Sequence, residues 1–246
     1  MVAALLDPIL GALANAPNLI SGVRSDPRWD TPRRRERGLI IVLGGIEGPS
    51  AYQRYLASGL VLGRWRGAVQ VHPWGGGIYP IRYFRNLMSP AHHERSADAV
   101  AAMIRAYRRD YPDAPVGLLA LSGGCWVAVR TLERLGAEEP LQTTVLLAAA
   151  ISPGYDLSAA ASRCRRGLYT VRGPGDAVLL GLGTSLLGTS DRRWGPAGGW
   201  VGWRPARPGV IDRCWHPQFI RKGYLGNHTS VASRRFIAAE VARWYS

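Results

Sequence analysis

Residues 116–130 read V-G-L-L-A-L-S-G-G-C-W-V-A-V-R, an apolar run that breaks at Ser122-Gly123-Gly124 and resumes with helical spacing. That pattern predicts a buried strand turning sharply into a helix. A serine on such a turn has its Oγ lifted clear of the backbone, and the crowded main chain favours glycine beside it. Ser122 is the candidate nucleophile.

The flanking sequence repeats the alternation. Residues 38–43 (G-L-I-I-V-L) read as a strand covered on both faces, ending in the loop Gly44-Gly45-Ile46-Glu47-Gly48-Pro49-Ser50. The spacing predicts a helix over 51–62, a strand over 68–72, and a helix over 96–109 stopped by Tyr111-Pro112-Asp113. Residues 144–150 and 168–171 read as strands, and 229–245 as a closing helix with Val231, Phe236, Ile237, Val241 and Trp244 on one face. Strands alternating with helices imply an α/β fold, a mostly parallel central sheet with helices on both faces. Residues 181–208, dense in Gly, Trp, Ser and Pro, fit a lid over a site or a surface loop pinned by Trp194, Trp200 and Trp203.

Acyl transfer by a serine needs a histidine to take its proton and usually a carboxylate to hold that histidine. His228 lies in G-Y-L-G-N-H-T-S, a polar loop ahead of the last helix, and Asp176 in T-V-R-G-P-G-D-A, just beyond a strand. Ser122, Asp176 and His228 thus follow in the order Ser, Asp, His. Each has a plainer use: a tight turn for Ser-Gly-Gly, a helix cap or loop hydrogen bond for His228, an N-cap for Asp176. Asp191 and Asp212 are rival acids, and Glu47 reads as a solvated turn residue, with ordering of its loop as the alternative.

The residue order, the turn at Ser122 and the glycine loop after an early strand together resemble the α/β-hydrolase fold family, over residues 38–246. The resemblance implies a serine hydrolase that cleaves a carboxylic ester or related acyl substrate through an acyl-enzyme. Ser122 would be the nucleophile, His228 the general base and then acid, and Asp176 its orienting carboxylate. Main-chain N–H groups of Gly123 and of Gly45 or Ile46 would form the oxyanion hole. An acyltransferase with the same residues, or a binding protein that keeps the fold without turnover, are the alternatives. Two positions depart from the family pattern: Ala120 replaces the first glycine of G-x-S-x-G, and Leu43 replaces the histidine common before the oxyanion-loop glycine.

A chain of 246 residues, 47% hydrophobic, suffices for one large core. Residues 38–246 are expected to form it, preceded in 1–37 by an amphipathic helix (Leu5, Leu6, Ile9, Leu10, Leu13) and a basic linker containing Arg33-Arg34-Arg35-Glu36-Arg37. Asp7, Pro8 and Pro17 argue against a signal peptide or membrane span, so the expected location is cytoplasmic, at most peripheral to a membrane. The net charge of +14 admits attraction to an anionic membrane surface, while no nucleic-acid-binding motif accompanies it. Cys125, Cys164 and Cys214, odd in number and widely spaced, read as buried, reduced thiols. His72, His92 and His93 lack metal-binding spacing, and Gly75-Gly76-Gly77 lacks the Lys-Ser/Thr ending of a phosphate loop. No metal and no cofactor are expected; the implied partner is a small-molecule acyl substrate.

Overall fold

The computed structural model describes residues 26–75 and 81–245, so the amphipathic helix expected near the start lies outside the described residues. Six strands form one parallel sheet: β1 (Leu39–Leu43), β2 (Ala68–His72), β3 (Val116–Leu121), β4 (Thr143–Leu147), β5 (Leu168–Arg172) and β6 (Val210–Cys214), in the order β2-β1-β3-β4-β5-β6. Every residue of β1, β3 and β4 is buried, as near-continuous apolar runs require in a sheet covered on both faces. β6 was not legible in the sequence. It forms the sheet's edge, and its exposed Asp212, Arg213 and Cys214 interrupt the apolar pattern that marks the central strands.

Of four longer helices, α1 (Ala51–Leu62), α3 (Pro90–Asp110) and α4 (Gly124–Arg134) cover the sheet, and α2 (Ile81–Met88) packs beside α3. α3 starts at Pro90, earlier than its pattern suggests. Proline resembles a breaker but is well suited to the first helical position, and Ser89 caps the end by accepting from His92 N at 3.3 Å. Leu39, Ile41, Leu118 and Ala120 face α3 and α4, while Ile40, Val42, Leu119 and Leu121 face α1 and the C-terminal segment. That segment is not one regular helix from 229: a 3-10 turn (Ser230–Ala232) precedes a helical run over 234–244 that contains a π-helical turn at Ile237–Val241. β4 ends at Leu147 because Ala148, at φ +46°, turns the chain out of the ladder.

The glycine-rich excursion beyond β5 carries the short helices Thr184–Leu187 and Gly198–Val201. It is stitched to the chain leaving β4 by Ser190 N to Ala150 O (2.8 Å) and Gly198 N to Ile151 O (2.7 Å). Trp200 and Trp203 pack against Gly181 and Gly198, whereas Trp194 is exposed.

β1 lies between β2 and β3, with Leu39 paired to Ala68 on one side and to Val116 on the other. The chain therefore leaves β1 and β3 toward opposite faces, opening a crevice at their carboxyl ends, where ligands bind in open parallel sheets. The loop at Gly44 and the turn at Ser122 both emerge there.

Gly59 of α1 sets how closely the C-terminal segment approaches, since an added Cβ would lie 2.6 Å from Ile237 Cβ. Helix propensity alone favours Gly59→Ala by about 1 kcal/mol, but overpacking costs about 1–3 kcal/mol. The urea midpoint is expected to fall; a midpoint that rises would refute this packing.

Candidate active site

Ser122 follows β3 directly at φ +53°, a left-handed conformation that side chains rarely adopt. Its N–H donates to Leu147 O (2.9 Å), and its carbonyl accepts from Cys125 N (3.0 Å), so α4 begins immediately after the turn. Ser122 is 8% exposed. A Cβ on Gly124 would strike the Gly44 carbonyl oxygen, and one on Gly123 would lie 2.5 Å from Ile46 Cγ2. Main chain thus presses on main chain, and only glycine fits at 124. Ala120 is fully buried in the core below, where its extra methyl is accommodated.

Asp176 sits in a 3-10 turn (Pro174–Ala177) past the end of β5 and is 1% exposed. Its Oδ1 lies 2.8 Å from Nδ1 of His228. Against a carboxylate that contact puts the ring proton on Nδ1 and leaves Nε2 as the basic nitrogen. The two loops are joined by Gly175 N donating to Gly226 O at 2.8 Å, and Asn227 Oδ1 accepts from Ser230 N (3.0 Å) beside the histidine. The rival acids are engaged elsewhere: Asp191 accepts from Ser152 N (2.8 Å), and Asp212 from Thr170 Oγ1 (2.8 Å) and Arg172 Nε (2.7 Å).

Glu47 departs from its reading as a solvated turn residue. It is half-buried, and its Oε1 accepts from Ser50 Oγ (3.0 Å) and from Gly45 N (3.3 Å), one of the N–H groups expected in the oxyanion hole. A Cβ at Gly45 would run into Glu47 Oε2 and lie 3.3 Å from Ser122 Cβ, so the carboxyl group and the serine flank the same glycine. Burial pushes the Glu47 carboxyl above its ordinary pKa, while the loop hydrogen bonds and the nearby His228 pull it partly back. Glu47 therefore braces the loop at Gly45, beside Ser122.

Two positioning residues had no sequence signal. Trp74 Nε1 donates to Gly44 O (2.7 Å) and Asn86 Nδ2 to Ile46 O (2.9 Å), holding the loop from positions remote in the chain. His93 is spent on Asn86 O (2.6 Å), and His92 stacks on Trp74. Cys125 and Cys164 are buried, and burial raises the Cys164 thiol to about 11; Cys214, contrary to expectation, is exposed.

No family model and no curated protein matches the chain. Among solved structures, an esterase from Pyrococcus furiosus is similar with a TM-score of 0.52 and 13% identity, over 85% of this chain and 82% of the esterase. The fold is that of the α/β-hydrolases. Lipase B from Aspergillus fumigatus aligns over 85% of this chain but only 52% of its own, with a TM-score of 0.51 and 12% identity. At such identities the likeness lies in the path of the chain, so the site of this α/β-hydrolase fold is argued from its own residues.

A carboxyl whose pKa is raised on folding disfavours the native state once ionised: stability is lost as pH rises from the unfolded toward the folded pKa, then levels off. Glu47→Gln carries no such charge. Its Tm is expected to exceed that of the native chain at pH 8, by about 2–4 °C for each 1 kcal/mol relieved, with the gap closing in acid. An equal gap at all pH values, measured by differential scanning fluorimetry, would overturn the electrostatic account.

Proposed function

We propose that this chain is a serine hydrolase that cleaves a carboxylic ester or related acyl compound, with Ser122 as nucleophile, His228 as general base and acid, and Asp176 as the carboxylate that orients it. The observation that carries the reading is the 2.8 Å contact between His228 Nδ1 and Asp176 Oδ1, at the carboxyl end of the sheet that also presents Ser122 at φ +53°. A histidine-carboxylate pair alone is common; at the same end of the sheet as a strained serine on a strand-to-helix turn it has a specific chemical use. The two similar structures, an esterase and a lipase, agree with it.

In this reading His228 Nε2 takes the Ser122 hydroxyl proton as Oγ attacks the acyl carbon. The negative charge on the tetrahedral oxygen meets the N–H groups of Gly123 and of Gly45 or Ile46. The imidazolium gives its proton to the departing alkoxide, leaving an acyl-serine. Water, deprotonated by His228, attacks that ester, and the imidazolium returns the proton to Ser122 Oγ as the acid leaves. For Gly45 N–H to serve, Glu47 must release it.

An apolar substrate portion is favoured by exposed apolar side chains on two segments tied to the site. Leu182, Leu186 and Trp194 belong to the excursion anchored at Ala150, whose N–H reaches Ser122 O at 3.4 Å, and Phe84 belongs to α2, whose Asn86 holds the Gly44 loop.

A fluorophosphonate probe is expected to label the native chain and not Ser122→Ala; labelling that survives this change removes Ser122 as nucleophile. With a p-nitrophenyl ester, Asp176→Asn is expected to lower kcat by about a thousandfold or more while leaving the fold intact, because the amide favours the wrong imidazole tautomer.

A further inference from the structure

We propose that the amino-terminal end of the sheet carries a binding site for a multiply charged phosphate group, built from Arg33, Arg34, Arg37, Arg64 and Arg66 and independent of the site at Ser122. The topology creates it. β1 and β2 are parallel neighbours in register from Leu39 and Ala68, so the segments that feed them emerge side by side. One feeding segment holds Arg33, Arg34 and Arg37, the other Arg64 and Arg66. Between them lies a concavity of about 600 Å³ lined by these five arginines together with Trp65 and Thr31. That volume is within the range of small-molecule sites.

Several other arginines of the chain are matched to acids. Arg130 and Arg134 share Glu94, Arg105 has Glu139, and Arg35, inside the same basic run, is held by Asp30 at 2.6 Å. Among the described residues, none of the five arginines of the concavity forms an ion pair, and Glu36 does not line it. Like charges gathered without a counter-charge repel one another, and an anion relieves that repulsion. Arg34 shows the tension most clearly. Its Nη2 donates to Trp65 O at 2.9 Å, its Nε is buried without a hydrogen-bond partner, and burial together with the charge of Arg37 lowers its pKa.

The wall is fixed. Trp65 Nε1 donates to Ala68 O at 3.0 Å, its ring lies 6.3 Å from that of Tyr245, and a Cβ at Gly38 would come within 3.1 Å of the indole. Arg64 is held at φ +68° by the end of α1, where its N–H donates to Val61 O at 3.1 Å. Planar guanidinium forks match phosphate oxygens two at a time, which an equal number of ammonium groups would not do. Several forks around one concavity call for a ligand with two or more charges, a pyrophosphate or a phosphomonoester, free or as a lipid headgroup. The length of a five-residue strand, about 16 Å, separates this end of the sheet from the Ser122 end.

Titration calorimetry of the full chain with inorganic pyrophosphate at low ionic strength tests the proposal. Saturable binding is expected. The exposed double variant Arg37→Glu/Arg66→Glu should weaken it by about tenfold or more, and Arg34→Lys, which keeps the charge and loses the fork, by about threefold or more. The double variant Arg95→Glu/Arg235→Glu, with the same change in net charge elsewhere, should alter it by less than about twofold. Co-sedimentation with phosphatidylcholine vesicles that contain phosphatidic acid distinguishes the sources. Binding displaced by pyrophosphate indicates a headgroup, and pyrophosphate binding without co-sedimentation indicates a free phosphate; either supports the site. Absence of saturable pyrophosphate binding overturns it, as does equal weakening by the two double variants. Binding of duplex DNA that pyrophosphate does not displace, with no pyrophosphate binding of its own, overturns it in favour of a diffuse polyanion surface.

Discussion

The Gly44 carbonyl and the first residue of α4 meet with no room for a side chain between them. That contact between two stretches of main chain is the constraint on which the site depends. It brings the loop after β1 over the turn after β3, sets Gly45 beside Ser122, and packs Ile46 against Gly123. Trp74 and Asn86 hold the far side of the same loop through its carbonyls. Under the proposed function, backbone donors kept in place by this packing would need no reorganisation when charge develops.

Around that contact two acids have unlike surroundings. Asp176, at the end of β5, faces an imidazole nitrogen and has a defined partner for its charge. Glu47 answers to a main-chain N–H and a serine hydroxyl, and burial works against its ionised form. Asp176 thus holds the ring of His228, whereas Glu47 is tied to the loop over 44–50. At the opposite end of the sheet the balance reverses, with arginine crowded upon arginine.

How much of this could be read in advance depended on whether each signal was local. The strands at 116–121 and 68–72 and the helix at 51–62 were legible to the residue, because a continuous apolar run or one helical face is written in adjacent letters. The sequence reading of Asp176 as the partner of His228 matches the contact observed between them, while Asp191 and Asp212 are engaged elsewhere. What failed was tertiary. β6 is a strand because β5 offers it an edge, not because V-I-D-R-C announces one. The π-helical turn at Ile237–Val241 lies in the segment that packs against α1, which no periodicity within that segment encodes. Glu47 looked solvated because a glycine-rich loop usually is, and only the folding of that loop onto Ser122 encloses it.

The left-handed backbone at Ser122 has a consequence for how the molecule can change over time. An L-residue in that region costs about 1–2 kcal/mol that glycine would not. The hydroxyl is thus kept at the one place where a smaller residue would make a sturdier protein. Under the proposed function, durability and reactivity pull in opposite directions at a single codon, and a lineage released from the need for that chemistry would drift toward the more robust, inert form.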